Sequence, residues 1–172
     1  MKAEISGVAV VTGSARNIGR EIALELAAAG NAVIVNARSS AAEAAEVVRA
    51  IEATGGRAAV HMADVSEPAG AQSLVEAAIR HFGQIDILIN NAAVRREVPF
   101  EELDFARWRE VMSVILDGAY LCAHAALPYL RQSKAGAIVN IRDNDGTTPI
   151  DLAREVWHDP KLISLLRKAG AK

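Results

Sequence analysis

The chain has a single cysteine in 172 residues, so it can form no internal disulfide. Cys122 falls in an apolar helical stretch and reads as a small core residue rather than a nucleophile. No run is apolar over the roughly 18 residues a membrane span requires, and the opening Met1-Lys2-Ala3-Glu4-Ile5-Ser6 lacks the character of a signal peptide. Basic charge is not in excess. Nineteen Lys and Arg against 21 Asp and Glu leave a formal charge of -2, without the basic face that nucleic acid or anionic lipid selects. Histidines at 61, 81, 124 and 158 have no metal-ligand spacing, so no metal is expected. A cytoplasmic setting with no nucleic-acid or membrane partner follows as the expectation.

What is present is 51% hydrophobic and 23% charged, the balance of a globular protein with a real core and the reverse of a disordered chain. Short apolar runs alternate with helical stretches. Residues 8–11, 32–35, 58–62, 85–89 and 137–141 read as five strands, most of them apolar at consecutive positions, as in a parallel sheet covered on both faces. Helices are expected near 18–29, 41–54, 68–82 and 104–133. Ser40 with Glu43 has the spacing of a capping box, and Ser66 precedes Pro68 at a helix start. Gly30, Gly55 and Gly83 stand where helices stop, and Pro128 should kink the fourth. The fold expected is α/β: a Rossmann-type parallel five-stranded sheet in the order 3-2-1-4-5, with helices on both faces and a C-terminal helix pair completing it.

The strongest motif is Thr12-Gly13-Ser14-Ala15-Arg16-Asn17-Ile18-Gly19, between the first strand and the first helix. A glycine-rich turn there lets backbone approach a pyrophosphate, and the helix N-terminus offers free N–H groups and a favourable dipole. Strand 2 ends in Asn36-Ala37-Arg38. An acid at that point grips the ribose 2′-hydroxyl of NAD, whereas arginine suits the 2′-phosphate of NADP. No acid is present, and Arg16 in the glycine turn adds a second guanidinium fork matched to phosphate.

With Asp64-Val65, Asn90-Asn91-Ala92-Ala93 and the long helix over Trp108–Leu130, this turn resembles a short-chain dehydrogenase/reductase over residues 5–141. The resemblance implies a cofactor site of Gly13, Ser14, Arg16, Asn17, Ile18, Gly19, Asn36 and Arg38. It further implies Asp64 and Val65 at the adenine, Asn91, Ala92 and Ala93 at the central ribose, and Ile141 near the nicotinamide. Asn17 replaces the family's middle glycine, a change asparagine tolerates because it accepts left-handed backbone angles. The family's Asn-Asn-Ala-Gly ends here in Ala93.

Family chemistry uses a Tyr-x-x-x-Lys pair with a preceding serine, the tyrosine moving the proton. Tyr120 is followed four places on by His124, and Tyr129 by Ser133, so neither makes that pair. Both read as packing residues, and the family's helix asparagine aligns with Ile115. No catalytic residue is assigned. Beyond Arg142 the chain changes character. Asp143–Ala153, Leu162–Leu166 and Ala169–Ala171 resemble one C-terminal ankyrin repeat, a unit that cannot bury its apolar face alone. The domains expected are a dinucleotide-binding half over 1–141 and a docked ankyrin-like helix pair over 142–172, joined as an engineered or recombined chimera. The function expected is a catalytically inactive fragment with weak residual NADP(H) affinity. The alternatives are a scaffold with a vestigial nucleotide site and an active NADP-dependent oxidoreductase. Homo-oligomerisation through an exposed sheet edge or the helix pair is also expected.

Overall fold

The computed structural model describes residues 6–94 and 99–141. The order is β1 (Gly7–Val11), α1 (Asn17–Ala28), β2 (Asn31–Ala37), α2 (Ala41–Ala53), β3 (Arg57–Met62), α3 (Pro68–Phe82) and β4 (Ile87–Asn90). A 3-10 turn at Phe100–Glu102, α4 (Phe105–Met112), a π-helical turn at Ser113–Asp117, α5 (Gly118–Leu130) and β5 (Ala137–Asn140) follow. The sheet is parallel, in the order β3-β2-β1-β4-β5. Both the class and the strand order match the reading of the sequence. The expected helix pair over 142–172, with Trp157, lies outside the described residues.

Side chains alternate across the strands with period two, so each central strand feeds two cores. Val8, Val10, Ala32, Ile34 and Leu88 pack with Leu74 and Val75 of α3 and Cys122 and Ala126 of α5. Val11, Val33, Val35 and Ile89 pack on the opposite face with Ala23 and Ala27 of α1 and Val47 and Ile51 of α2. That double burial is why β1 and β2 are apolar at nearly every position. Cys122 is fully buried, as expected, and burial pushes its thiol up to about 12, so it is a packing group.

Several local expectations change. The single helix over 104–133 is interrupted at Ser113–Asp117 by the π turn. A wider turn resets which face points inward. Val114 is buried, while Ile115 and Leu116 are exposed. Gly118 then passes so close to the β3–α3 loop that a Cβ would lie 3.2 Å from Val65. Pro128 lies inside the helix as read, in the last turn of α5, which runs on to Leu130. Tyr120 is no packing residue. It is 65% exposed, with its ring beside His124, whereas Tyr129 does pack against the core. α3 does begin at Pro68 as read, with Glu67 in the N-cap position but no side-chain cap bond, while Ser66 bonds Asp64. The helical run Phe105–Leu130 also overturns the expectation that nothing is apolar enough to span a membrane. By length and composition it is, at a mean hydropathy of 1.4. Cys122, Ala126 and Leu130 pack into the core, although only 22% of the apolar window is buried.

The lower end of the sheet is tied by Asp86. Its carboxylate accepts the Val8 backbone N–H at 2.7 Å, the Ser133 hydroxyl at 2.6 Å and the Gln84 amide at 2.8 Å. One side chain thus joins the start of β1 to the turn before β5. Asp86→Ala leaves a half-buried N–H and a hydroxyl without their acceptor and is expected to cost about 1–3 kcal/mol. Chemical denaturation reads this directly, and a loss below about 0.5 kcal/mol would show the clamp to be dispensable.

Candidate nucleotide site

The loops at the carboxyl ends of β1, β2, β3 and β4 enclose a cleft of about 360 Å³, within the roughly 300–1,000 Å³ of small-molecule sites. Its floor is the glycine turn. Gly13 lies at φ 63° and Asn17 at φ 51°, so two left-handed residues bend the chain from β1 into α1. Asn17 does what the reading of the sequence asked of it. A Cβ on Gly19 would lie 2.4 Å from Asn91 Nδ2 and 2.5 Å from the Gly13 carbonyl, so only glycine fits that crossing.

Polar side chains hold the turn. The Thr12 hydroxyl donates to the Ile89 carbonyl at 3.3 Å and accepts the Asn91 and Ala92 backbone N–H groups, both at 2.9 Å. Asn91 Nδ2 donates to the Thr12 and Gly13 carbonyls at 2.9 and 3.1 Å. Asn36 Oδ1 accepts the Gly13 N–H at 3.2 Å, while its Nδ2 donates to the His61 and Ala63 carbonyls. Asn36 therefore borders the cleft chiefly as a brace. Thr12 was missed as a site residue because its hydroxyl acts on backbone from another strand, which no local motif reveals.

Of the expected site residues, Gly13, Arg16, Asn17, Ile18, Gly19 and Asn36 line this cleft. So do Arg38, Asp64, Val65, Asn91, Ala92 and Ala93. Ser14 does not. It is fully buried under the turn, donating to the Val11 carbonyl at 2.7 Å and accepting the Asn36 N–H at 3.0 Å. Ile141 is also outside the lining, packed against the α1–α2 side core with its N–H on the Asn90 carbonyl. Ser39, Ser40 and Val114 line the cleft without having been foreseen. Val114 belongs to the π turn.

Charge gathers at the β2 end. Arg38 stands 3.6 Å from the Asp64 carboxylate, and Arg16 donates to the Ser40 hydroxyl at 2.7 Å. Burial pushes the Asp64 carboxyl up, but hydrogen bonds from Ser66 and the Arg38 guanidinium outweigh it and hold the group below its ordinary value. Asp64 is thus a carboxylate at neutral pH. The α1 N-terminus is capped by Arg16 with no side-chain bond and has no acid in its first turn. Its first-turn N–H groups and dipole are left for an anion. A helix end without a side-chain cap, a turn that admits no Cβ and two arginines beside it fit an anionic dinucleotide.

A model of the short chain dehydrogenase family matches residues 7–153. The chain belongs to the short-chain dehydrogenase family. An uncharacterized oxidoreductase of Methylorubrum extorquens is 44% identical over 134 residues, covering 78% of this chain and 53% of that protein. A 3-oxoacyl-(acyl-carrier-protein) reductase of Synechocystis is 36% identical over 141 residues, covering 82% and 57%. The crystal structure of a presumed short-chain alcohol dehydrogenase from Sinorhizobium meliloti matches with a TM-score of 0.76 and 35% identity. It covers 97% of this chain and 63% of that one. The chain spans little more than half the length of these curated relatives. Family membership implies a nicotinamide dinucleotide cofactor.

These findings correct the functional expectation. Inactivity and a scaffold role were inferred from the absent Tyr-x-x-x-Lys pair, but short-chain dehydrogenases named as oxidoreductases and reductases are the relatives of this chain. A sequence spanning about half of such enzymes is no gauge of activity by the residues it lacks. The family match also crosses the expected seam at 141, and the comparisons supply nothing for a chimera, an ankyrin repeat or weak affinity. A left-handed Asn17 predicts that Asn17→Gly is near neutral, whereas Asn17→Val costs about 1–2 kcal/mol through φ strain. Thermal melts of the two variants decide it, and equal stabilities would remove the strain argument.

Proposed function

We propose that this chain provides the NADP(H) site of a carbonyl-reducing short-chain dehydrogenase. The observation that carries the reading is a pair of arginines lining the cleft: Arg16 of the glycine turn, and Arg38 at the end of β2, where an NAD-selective site has an acid. In this reading Gly13–Gly19 and the α1 N-terminus take the pyrophosphate, and the two guanidinium groups take the 2′-phosphate. Asp64 and Val65 border the adenine, Asn91, Ala92 and Ala93 the central ribose, and Ile141 the nicotinamide end. Ser14 and Asn36 hold the turn in shape from beneath. The dinucleotide, when bound, supplies hydride. Relatives named as 3-oxoacyl-(acyl-carrier-protein) reductases suggest a 3-oxoacyl thioester as the substrate class. A cytoplasmic location, and association of copies through the β5 edge, are parts of the same proposal.

Calorimetric titration is expected to give tighter binding of NADPH than NADH. Arg38→Ala should weaken NADPH by about tenfold, near the low end of a charged hydrogen bond, and leave NADH little changed. Equal binding of the two cofactors, or equal loss of both in the variant, would refute the arginine assignment. NADPH-dependent reduction of a 3-oxoacyl thioester, followed by absorbance and reduced in the Arg38→Ala protein at low cofactor concentration, supports the activity. No turnover at saturating NADPH removes the substrate class and leaves the binding reading.

For residues 142–172 the docked ankyrin-like helix pair stands as a separate proposal, carried by Trp157 and by the apolar spacing of Ile150, Ala153 and Val156 and of Leu162, Leu165 and Leu166. If it docks, Trp157→Ala should cost about 3–5 kcal/mol. An unchanged melting temperature would sink it.

A further inference from the structure

Helix α2 opens with Ser40 and Glu43, the pair whose spacing suggests a reciprocal cap, yet the Ser40 side chain makes no cap bond. Both side chains serve Arg16 instead. Its guanidinium donates to the Ser40 hydroxyl at 2.7 Å and stands 3.7 Å from a Glu43 carboxylate oxygen. Arg38 is drawn the other way, 3.6 Å from Asp64. Each of the two cations that face the β2 end of the cleft therefore already has a carboxylate partner. Asp64 lines the cleft and Glu43 does not. Glu43 is thus the one carboxylate here that can be altered without touching the surface offered to a dinucleotide.

We propose that Glu43 is a specificity-determining residue, a counterion that holds Arg16 at the mouth of the cleft and competes with the 2′-phosphate of NADP(H) for it. The inference rests on the NADP(H) reading above and assigns a regulator to that same site. Its physics follows from exposure. The pair is half open to solvent on both sides, and such pairs are weak enough to exchange partners readily. A phosphate brings close to two negative charges at neutral pH. It must take Arg16 from Glu43 and then sit beside the displaced carboxylate. NADH carries no phosphate at that point, so it meets neither cost. Glu43 therefore narrows the preference for NADPH, and Ser40 keeps the guanidinium in place when Glu43 lets go.

The test is calorimetric titration of NADPH, NADH and 2′-phospho-ADP-ribose into the full chain, its Glu43→Gln variant, and Arg16→Ala with and without Glu43→Gln. Glu43→Gln is expected to tighten NADPH and 2′-phospho-ADP-ribose about three- to tenfold, a Coulombic effect across a solvated gap, with NADH changed less than about twofold. The gain should shrink in the Arg16→Ala background, where only the repulsion between carboxylate and phosphate is left. It should also fade near 1 M salt, where the screening length is about 3 Å. Glu43→Ala should act in the same direction, which guards against a peculiarity of the glutamine. A gain shared equally by NADH, a gain undiminished without Arg16, or a loss of NADPH affinity each overturns the proposal. If the unaltered chain prefers NADPH and Glu43→Gln changes nothing, the inference fails and the NADP(H) reading stands. If the unaltered chain binds no NADPH at millimolar concentration, both fail.

Discussion

The Thr12 hydroxyl spans the gap between two strands that are neighbours in space and nearly eighty residues apart in sequence. It donates to Ile89 of β4 and accepts two successive backbone N–H groups at Asn91 and Ala92. Asn91 answers by donating to the Thr12 and Gly13 carbonyls. Buried backbone groups at the end of a sheet must find partners somewhere, and here they find them in one another's loops. The glycine turn, the β4 loop and the mouth of the cleft are consequently a single braced unit. The steric demand on Gly19 follows from this brace, because the Asn91 amide that closes it occupies the space a Cβ would need.

A second consequence is a division of labour among polar residues that look alike in the sequence. Ser14 and Asn36 are among the most deeply buried polar groups described, and their side chains bond to backbone groups of the neighbouring strands and turn. They shape the floor. Arg16 and Arg38 are more than half exposed and keep their charge at the surface, where a ligand phosphate can exchange with their present partners. Rigid floor and exchangeable rim come from burial alone: an unsatisfied polar group is costly inside and cheap outside.

The same logic explains where short motifs misled. Ser40 and Glu43 have capping-box spacing, but Arg16, arriving from another loop, engages both side chains. Ser66, which marks the start of α3 in the sequence, spends its side chain on Asp64, the group it helps keep ionised. The functional error was of a different kind. Missing a tyrosine–lysine pair seemed decisive against activity, yet the chain covers 53–57% of the first curated relatives it matches, and those relatives carry oxidoreductase and reductase names.

By itself the sequence determined the parallel sheet, its strand order and most of the cleft. Consecutive apolar residues demand burial on both faces, helices between strands force parallel crossovers, and a glycine turn between strand and helix can only lie at the sheet's carboxyl edge. Gly13, Asn17 and Gly19 were legible for the same reason: their backbone angles and missing Cβ atoms are local properties. Tertiary structure decided the rest. Thr12 as a brace, Ser14 as floor rather than lining, Val114 in the cleft and Glu43 on Arg16 all depend on groups from other elements. A hydrogen bond or ion pair is chosen by whichever partner folding brings within about 3–4 Å, and sequence spacing carries no record of that choice.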